Sequence, residues 1–232
     1  MKVLVVQNAG CETLGSLEGL LRSRGIAIDV INAPFERVFT DPDRYSGIVI
    51  LGGPVSVYDG LPYLEREQQL VRAAVKADTP VLGVCLGSQL IAQATGGRVF
   101  KGSKKEIGWD QVLLTPDGVR DIFRGFKAGS PIRVFQWHGD TYDLPPGAIT
   151  LARGALYPQA FRVGSAVGMQ FHLEVDEQMI RLWSREYRNE LASEGIDASA
   201  LIDPGDAFSE LSSRSALVFG NFLDAIDAGE GS

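Results

Sequence analysis

The chain has 232 residues, 45% of them hydrophobic, and a formal net charge of −7 at pH 7. A chain of this size can bury a full core, as one large domain or as one domain with an appendage. The acidic balance argues against nucleic acid or an anionic membrane surface as the main partner, because both select a basic face.

Lys2 to Gln7 (KVLVVQ) reads as a buried strand. Its apolar run is too short for a signal or membrane segment, and two cysteines cannot form a disulfide framework, so a soluble protein of the reducing cytoplasm is expected. A helical pattern follows from Glu12 to Arg24 and stops at Gly25. IAIDVI is a second strand and GIVIL a third, which runs straight into Gly52-Gly53-Pro54. A helix over Tyr63 to Lys76 precedes the strand PVLGV, and another helix begins near Ser88. Strands that are apolar throughout and separated by helices imply an α/β fold, with an open, mostly parallel sheet covered by helices on both faces.

From Phe100 to Gln170 the texture changes. Short alternating runs, DQVLL, IRVFQW, AITLA and AVGMQF, sit between Gly and Pro turns and predict added antiparallel strands. Lys101, Lys104 and Lys105 in this region read as a solvated face. Beyond Asp176 the pattern is helical again, with Met179, Trp183, Tyr187 and Leu191 recurring every four residues, as do Val218, Phe222 and Ile226. GIDASALIDPGDAF between them reads as a loop or short turn. The expected organisation is a domain over residues 1–175 and a C-terminal helical extension over residues 176–232, packed on the same body with its apolar faces covering the core.

Cys85 stands between Gly83-Val84 and Leu86-Gly87, where a strand meets a helix. A one-residue turn of this kind forces its central residue into a strained backbone conformation, and glycines on both sides relieve the crowding. The side chain is then lifted above the C-terminal edge of the sheet, where open α/β folds place ligands. The positive end of the following helix favours thiolate. The Leu86 amide is free to meet a developing oxyanion, and the Gly53 amide, at the same sheet edge, can supply a second donor.

A cysteine acyl-transfer site needs a base and a group that orients it. The sequence offers two histidines, each leaving a strand and each followed two residues later by a carboxylate: His138 with Asp140, and His172 with Glu174. Local chemistry does not choose between them.

GVCLGSQ after ILGGP, with FHLE further downstream, resembles the class I (triad-type) glutamine amidotransferases. KEIGWDQV and WHGDTYDLP look like the amidotransferase domain of GMP synthase and its free-standing relatives, and the resemblance runs from Met1 to about Val175. It implies a flavodoxin-like amidotransferase fold that hydrolyses the glutamine side-chain amide through a γ-glutamyl thioester and releases ammonia, without metal or cofactor. Carried onto this chain, it makes Cys85 the nucleophile, His172 the general base and acid, and Glu174 the orienting carboxylate. It puts the Gly53 and Leu86 amides in the oxyanion hole, and Gly52, Gln89, His138, Gly139 and Asp140 around the substrate.

Three uses of that chemistry stand open. The chain can serve a separate synthetase as its glutaminase, act as a peptidase or transferase on γ-glutamyl conjugates, or be a non-catalytic regulatory subunit. The intact Cys85, His172 and Glu174 disfavour the last. One departure is Leu173, where the family usually has proline between the histidine and the glutamate; a less constrained loop is expected there.

Overall fold

The computed structural model describes residues 1–35, 41–202 and 205–229. The strands are β1 (Lys2–Gln7), β2 (Ala27–Asn32), β3 (Gly47–Ile50), β4 (Val81–Val84), β5 (Arg98–Leu114), β6 (Pro131–Asp143), β7 (Ile149–Arg153), β8 (Pro158–Val163) and β9 (Ala166–Met169). The helices are α1 (Ser16–Ser23), α2 (Pro62–Lys76), α3 (Leu86–Ala94), α4 (Glu177–Glu186), α5 (Arg188–Glu194) and α6 (Ala207–Gly229). One sheet runs in the order β2-β1-β3-β4-β9-β8-β7-β5-β6. Its first five strands are parallel to one another, and every pairing from β9–β8 onward is antiparallel.

The apolar runs form the central strands because both of their faces are covered. Along β1, Val3 and Val5 enter one core cluster, while Leu4 and Val6 enter the other. The first cluster receives Leu17 and Leu21 of α1, Ile180 and Trp183 of α4, and Val218 and Phe219 of α6. The second receives Leu64, Leu70 and Val71 of α2, and Leu90 and Ile91 of α3. Strand alternation thus splits one apolar run between two cores, each fully buried aliphatic side chain contributing roughly 1.5–3 kcal/mol. The parallel order β2-β1-β3-β4-β9 places the ends of β1, β3 and β4 at one edge, where the site lies.

Three elements differ from the sequence reading. AVGMQF, expected to be antiparallel, contributes β9, which is parallel to β4 and antiparallel to β8; it is the seam between the two halves of the sheet. The first helix begins at Ser16 rather than Glu12, because Gly15 turns the chain with φ 49° and leaves residues 12–14 in an irregular segment. The four-residue period from Met179 to Leu191 spans two helices, α4 and α5, which break at Tyr187. Part of GIDASALIDPGDAF forms a short 3-10 turn at Ala198–Leu201, while Asp203 and Pro204 of that stretch lie outside the described residues.

α6 is tied to the rest of the fold by polar contacts as well as apolar ones. Arg24 at the end of α1 pairs with Asp224 at 2.7 Å, Ser16 meets Ser215 at 2.6 Å, and the Asn221 amide donates to the Ile122 and Arg124 carbonyls at 2.9 Å.

α3 crosses the end of β3 at backbone contact. A Cβ on Gly87 would stand 2.1 Å from the Ile50 carbonyl oxygen, and one on Gly83 would stand 2.4 Å from the Gly87 carbonyl oxygen. Both obstacles are main chain and cannot rotate away. Gly87→Ala is therefore expected to lower stability by about 1–3 kcal/mol or more, read as a fall in the urea midpoint at unchanged m-value; an unshifted midpoint would mean that α3 can lift from β3 freely.

Candidate active site

Cys85 caps α3 with φ 52° and ψ −109°, one of two non-glycine residues with positive φ among those described. Its amide donates to the Met169 carbonyl of β9 at 2.8 Å, while its own carbonyl accepts from the Ser88 and Gln89 amides at 3.0 and 3.2 Å. Those bonds anchor the turn on both sides. The thiol is buried, with Sγ 3.5 Å from the Trp137 carbonyl of β6.

His172 follows β9 and is pinned to β6 through both backbone groups: its amide donates to the Phe135 carbonyl at 2.8 Å, and the Phe135 amide donates back at 3.3 Å. The ring packs edge-on against Trp183 with centroids 4.8 Å apart. Nδ1 lies 2.5 Å from Glu174 Oε1, and the other carboxylate oxygen accepts from the Leu173 amide at 3.0 Å. The Glu174 carbonyl accepts from the Ser16 amide at the start of α1, at 2.9 Å. Nε2 has no well-aligned hydrogen-bond partner among the described residues, yet the ring is close enough to Cys85 for each to shift the other's proton affinity.

One cavity of about 390 Å³ collects these groups, near the small end of the range for ligand pockets. Its wall includes Gly53, Cys85, Gln89, His138, Gly139, Asp140 and His172. Glu174 stands behind His172. Gly52 lies at the rim of the same centre, since a Cβ there would be 3.4 Å from Cys85 Cβ. Leu86 is buried directly beneath the turn, with its amide close enough to favour the Cys85 thiolate.

The two histidines, equivalent in sequence, are unlike in space. His138 Nδ1 is 2.9 Å from the Asp140 carbonyl, and its Nε2 lies 3.0 Å from Glu106 Oε2, close but poorly aligned for a hydrogen bond. Glu106 in turn accepts from Gln159 at 2.7 Å, and Gln159 accepts from Gln136 at 2.9 Å. His138 belongs to that buried polar network. The Asp140 carboxylate is also engaged, by the Ser56 and Tyr58 hydroxyls at 2.6 and 2.9 Å. Gln89 donates to the Asp140 carbonyl at 3.3 Å.

A family model described as "Glutamine amidotransferase class-I" matches residues 5–180, a span that holds the glycine loop, Cys85, His172 and Glu174. The chain belongs to the class-I glutamine amidotransferases. It is 32% identical over 206 residues to the glutamine amidotransferase-like protein YfeJ of Salmonella typhimurium, covering 83% of each chain. It is 32% identical over 181 residues to a glutamine-hydrolysing GMP synthase subunit of Thermococcus kodakarensis, covering 75% of this chain and 89% of that one. Against the GMP synthase of Thermomicrobium roseum the identity is 41% over 133 residues, 56% of this chain and 23% of that longer protein. A crystal structure of a glutamine amidotransferase from Thermotoga maritima superposes with a TM-score of 0.88 at 34% identity and 98% coverage of both chains.

The electrostatics of this amidotransferase differ in one respect from the sequence expectation. Burial pushes the Cys85 thiol up, and His172 and the Leu86 amide only oppose that rise, so the helix end does not by itself hold a thiolate. Burial would lower the imidazole, but the Glu174 carboxylate and the Cys85 sulfur outweigh it and hold His172 well above its ordinary value.

Sequence reasoning missed several residues of this amidotransferase cavity. Glu12, Trp183, Tyr187 and Glu190 line it, the last three from α4, α5 and the break between them. The periodic face read as core cover is thus also a cavity wall. Lys101 and Lys104 are exposed as read, but Lys105 is only partly so: its ammonium is 2.5 Å from Glu190 Oε1, and both line the cavity with Lys101. Glu190 also accepts from the Trp137 indole at 2.9 Å.

The glycine loop rests on a buried acid. Asn8 donates to the Leu51 carbonyl at 3.3 Å and to Glu67 Oε2 at 3.2 Å, and a Cβ on Gly53 would stand 2.8 Å from Asn8 Cβ. Burial raises Glu67 to about 8, against the pull of Asn8 and Arg66. Between the ordinary carboxylate range and pH 8 the folded chain then holds a proton that the unfolded chain has lost, so this group makes stability fall as pH rises through that window. Glu67→Gln is expected to remove the decline, so that its urea midpoint gains on the parent's from pH 5 to pH 8.5; parallel curves would refute the assignment.

Proposed function

We propose that this chain is a glutaminase-type hydrolase that opens the glutamine side-chain amide through a γ-glutamyl thioester on Cys85 and releases ammonia for a separate synthetase. One observation carries the reading: a cysteine on a strained strand-to-helix turn shares a cavity with an imidazole whose far nitrogen is bound to a buried carboxylate.

In this reading Sγ gives its proton to His172 Nε2 and attacks the amide carbon. Charge gathering on the carbonyl oxygen meets the Gly53 and Leu86 amides, the two donors this reading assigns to the oxyanion. His172 returns the proton to the leaving nitrogen, the C–N bond breaks, and ammonia departs. Water then attacks the thioester with His172 as base, the S–C bond breaks, and glutamate is released. Glu174 keeps Nδ1–H oriented and stabilises the imidazolium in both halves. Gln89, Gly139 and Asp140 surround the amino-acid end, with His138 as a fixed wall behind them.

The similarity to a GMP synthase subunit, 89% of which this chain covers, supports delivery of ammonia to a partner. The free thiols of Cys11 and Cys85 suit a reducing compartment, and no helix among the described residues is long and apolar enough to cross a membrane. The α4–α5 wall makes the catalytic body, in this reading, extend beyond residue 175.

Cys85→Ala is expected to lower glutamate release by about 10⁴-fold or more, with an unchanged circular dichroism spectrum. A glutamine-analogue diazo-ketone is expected to alkylate Cys85 and spare Cys11, because burial raises both thiols and only Cys85 has an imidazole opposing that rise; peptide mapping that finds the label at Cys11 alone would remove the nucleophile assignment. His172→Asn is expected to cost far more turnover than His138→Asn, and the reverse order would exchange the two roles. Glutamate release from glutamine only with a synthetase present supports the ammonia-delivery reading, whereas rapid turnover of γ-glutamyl conjugates by the chain alone would replace it with a peptidase.

A further inference from the structure

We propose that Glu12 determines what the site accepts at the leaving group: its carboxylate takes a hydrogen bond from the N–H of the amide being cleaved, selecting amides over esters and disfavouring the acid product. The inference rests on the glutaminase reading above and adds a residue that the cysteine, histidine and glutamate roles do not include.

Glu12 is 7% exposed and lines the cavity. It lies in the irregular segment before α1, held by its own backbone: its amide donates to the Ala9 carbonyl at 3.1 Å, and its carbonyl accepts from the Gln7 side chain at 3.1 Å. Oε1 accepts from the Tyr187 hydroxyl at 2.8 Å, and the Tyr187 ring packs on Trp137 with centroids 5.7 Å apart. Oε2 is turned the other way. A Cβ on Gly52 would stand 2.1 Å from Oε2 and 3.4 Å from Cys85 Cβ, so the free carboxylate oxygen and the sulfur-bearing residue flank the same glycine.

A carboxylate in that place opposes the chemistry unless substrate compensates it. Its charge raises Cys85, and burial raises Glu12 itself, with only His172 and Tyr187 pulling it back. It does not activate the sulfur. The geometry of attack shows what it faces instead. With the carbonyl oxygen turned to the Gly53 and Leu86 amides, the leaving nitrogen must point away from them and within reach of His172, which protonates it. Glu12 lines the same cavity as His172, and the imidazole's charge pulls its carboxyl down against burial. An amide presents N–H donors to Oε2, and an ester presents none. After hydrolysis the same position holds an oxygen of the γ-carboxylate, and two carboxylates then face each other, which favours product release.

The test compares glutamine with glutamic acid γ-methyl ester in the parent chain, Glu12→Gln and Glu12→Ala, measuring kcat/KM and inhibition by glutamate. A hydrogen bond to a charged acceptor predicts that the amide-to-ester preference falls roughly 10–100-fold in Glu12→Ala. Glu12→Gln keeps an acceptor oxygen without the charge, so its preference should fall less, and glutamate should inhibit it more strongly than the parent. Glu12→Gln carries the test alone if Glu12→Ala does not fold. Amide and ester rates that fall in parallel, with glutamate inhibition unchanged, would overturn the assignment and leave the glutaminase reading standing. A folded parent chain that turns over neither compound, even with a synthetase present, would overturn both.

Discussion

Cys85 occupies a left-handed backbone conformation that costs a residue with a side chain of the order of 1–3 kcal/mol. Its neighbours hold it there: Gly83 and Gly87 bring β4, α3 and the end of β3 to main-chain contact, and β9 accepts the Cys85 amide. Nearly every other feature of the cavity follows from that tight crossing. The glycine loop is the continuation of β3, so its distance from the sulfur is fixed by the same contact. β9, paired to β4, carries the chain onward to His172. The strain is local, and the two apolar cores on either side of the sheet supply the rigidity that keeps it.

The charges around the sulfur are arranged in opposition. Glu174 holds His172 at Nδ1, and Glu12 lines the cavity into which the same imidazole opens. Both ends of this array are braced by elements far apart in sequence: Glu174 through the Leu173 amide and the start of α1, Glu12 through Tyr187 at the α4–α5 break. The aromatic cluster of Phe135, Trp137, Trp183 and Tyr187 meets the imidazole through Trp183, an apolar flank of low polarity that strengthens the charge interactions beside it.

The parallel half of the sheet was legible because burial on both faces leaves continuous apolar runs, which only a covered strand tolerates. The elbow was legible because glycines flank the cysteine, and the family motif separated two histidines that local chemistry could not. Glu12 was not legible: its segment continues a helical pattern, and only the turn at Gly15 leaves it outside the helix, where it lines the cavity. The network from His138 through Glu106 to Gln159 was hidden because its members come from three different strands. Lys105 looked solvated because its partner, Glu190, lies on a helix whose docking the pattern does not specify. Periodicity reports that a face is buried, and does not report against what.

Leu173 replaces the proline usual at this point of the family motif, yet the loop is not left loose. Its side chain is buried in the core, and its main-chain N–H, a group proline lacks, reaches the Glu174 carboxylate. Proline would restrict the loop by narrowing the choices of the unfolded chain, whereas leucine restricts it by a bond made only after folding. Order near the imidazole is thereby tied to the placement of its own carboxylate partner, a dependence that a ring-locked dihedral angle would not create.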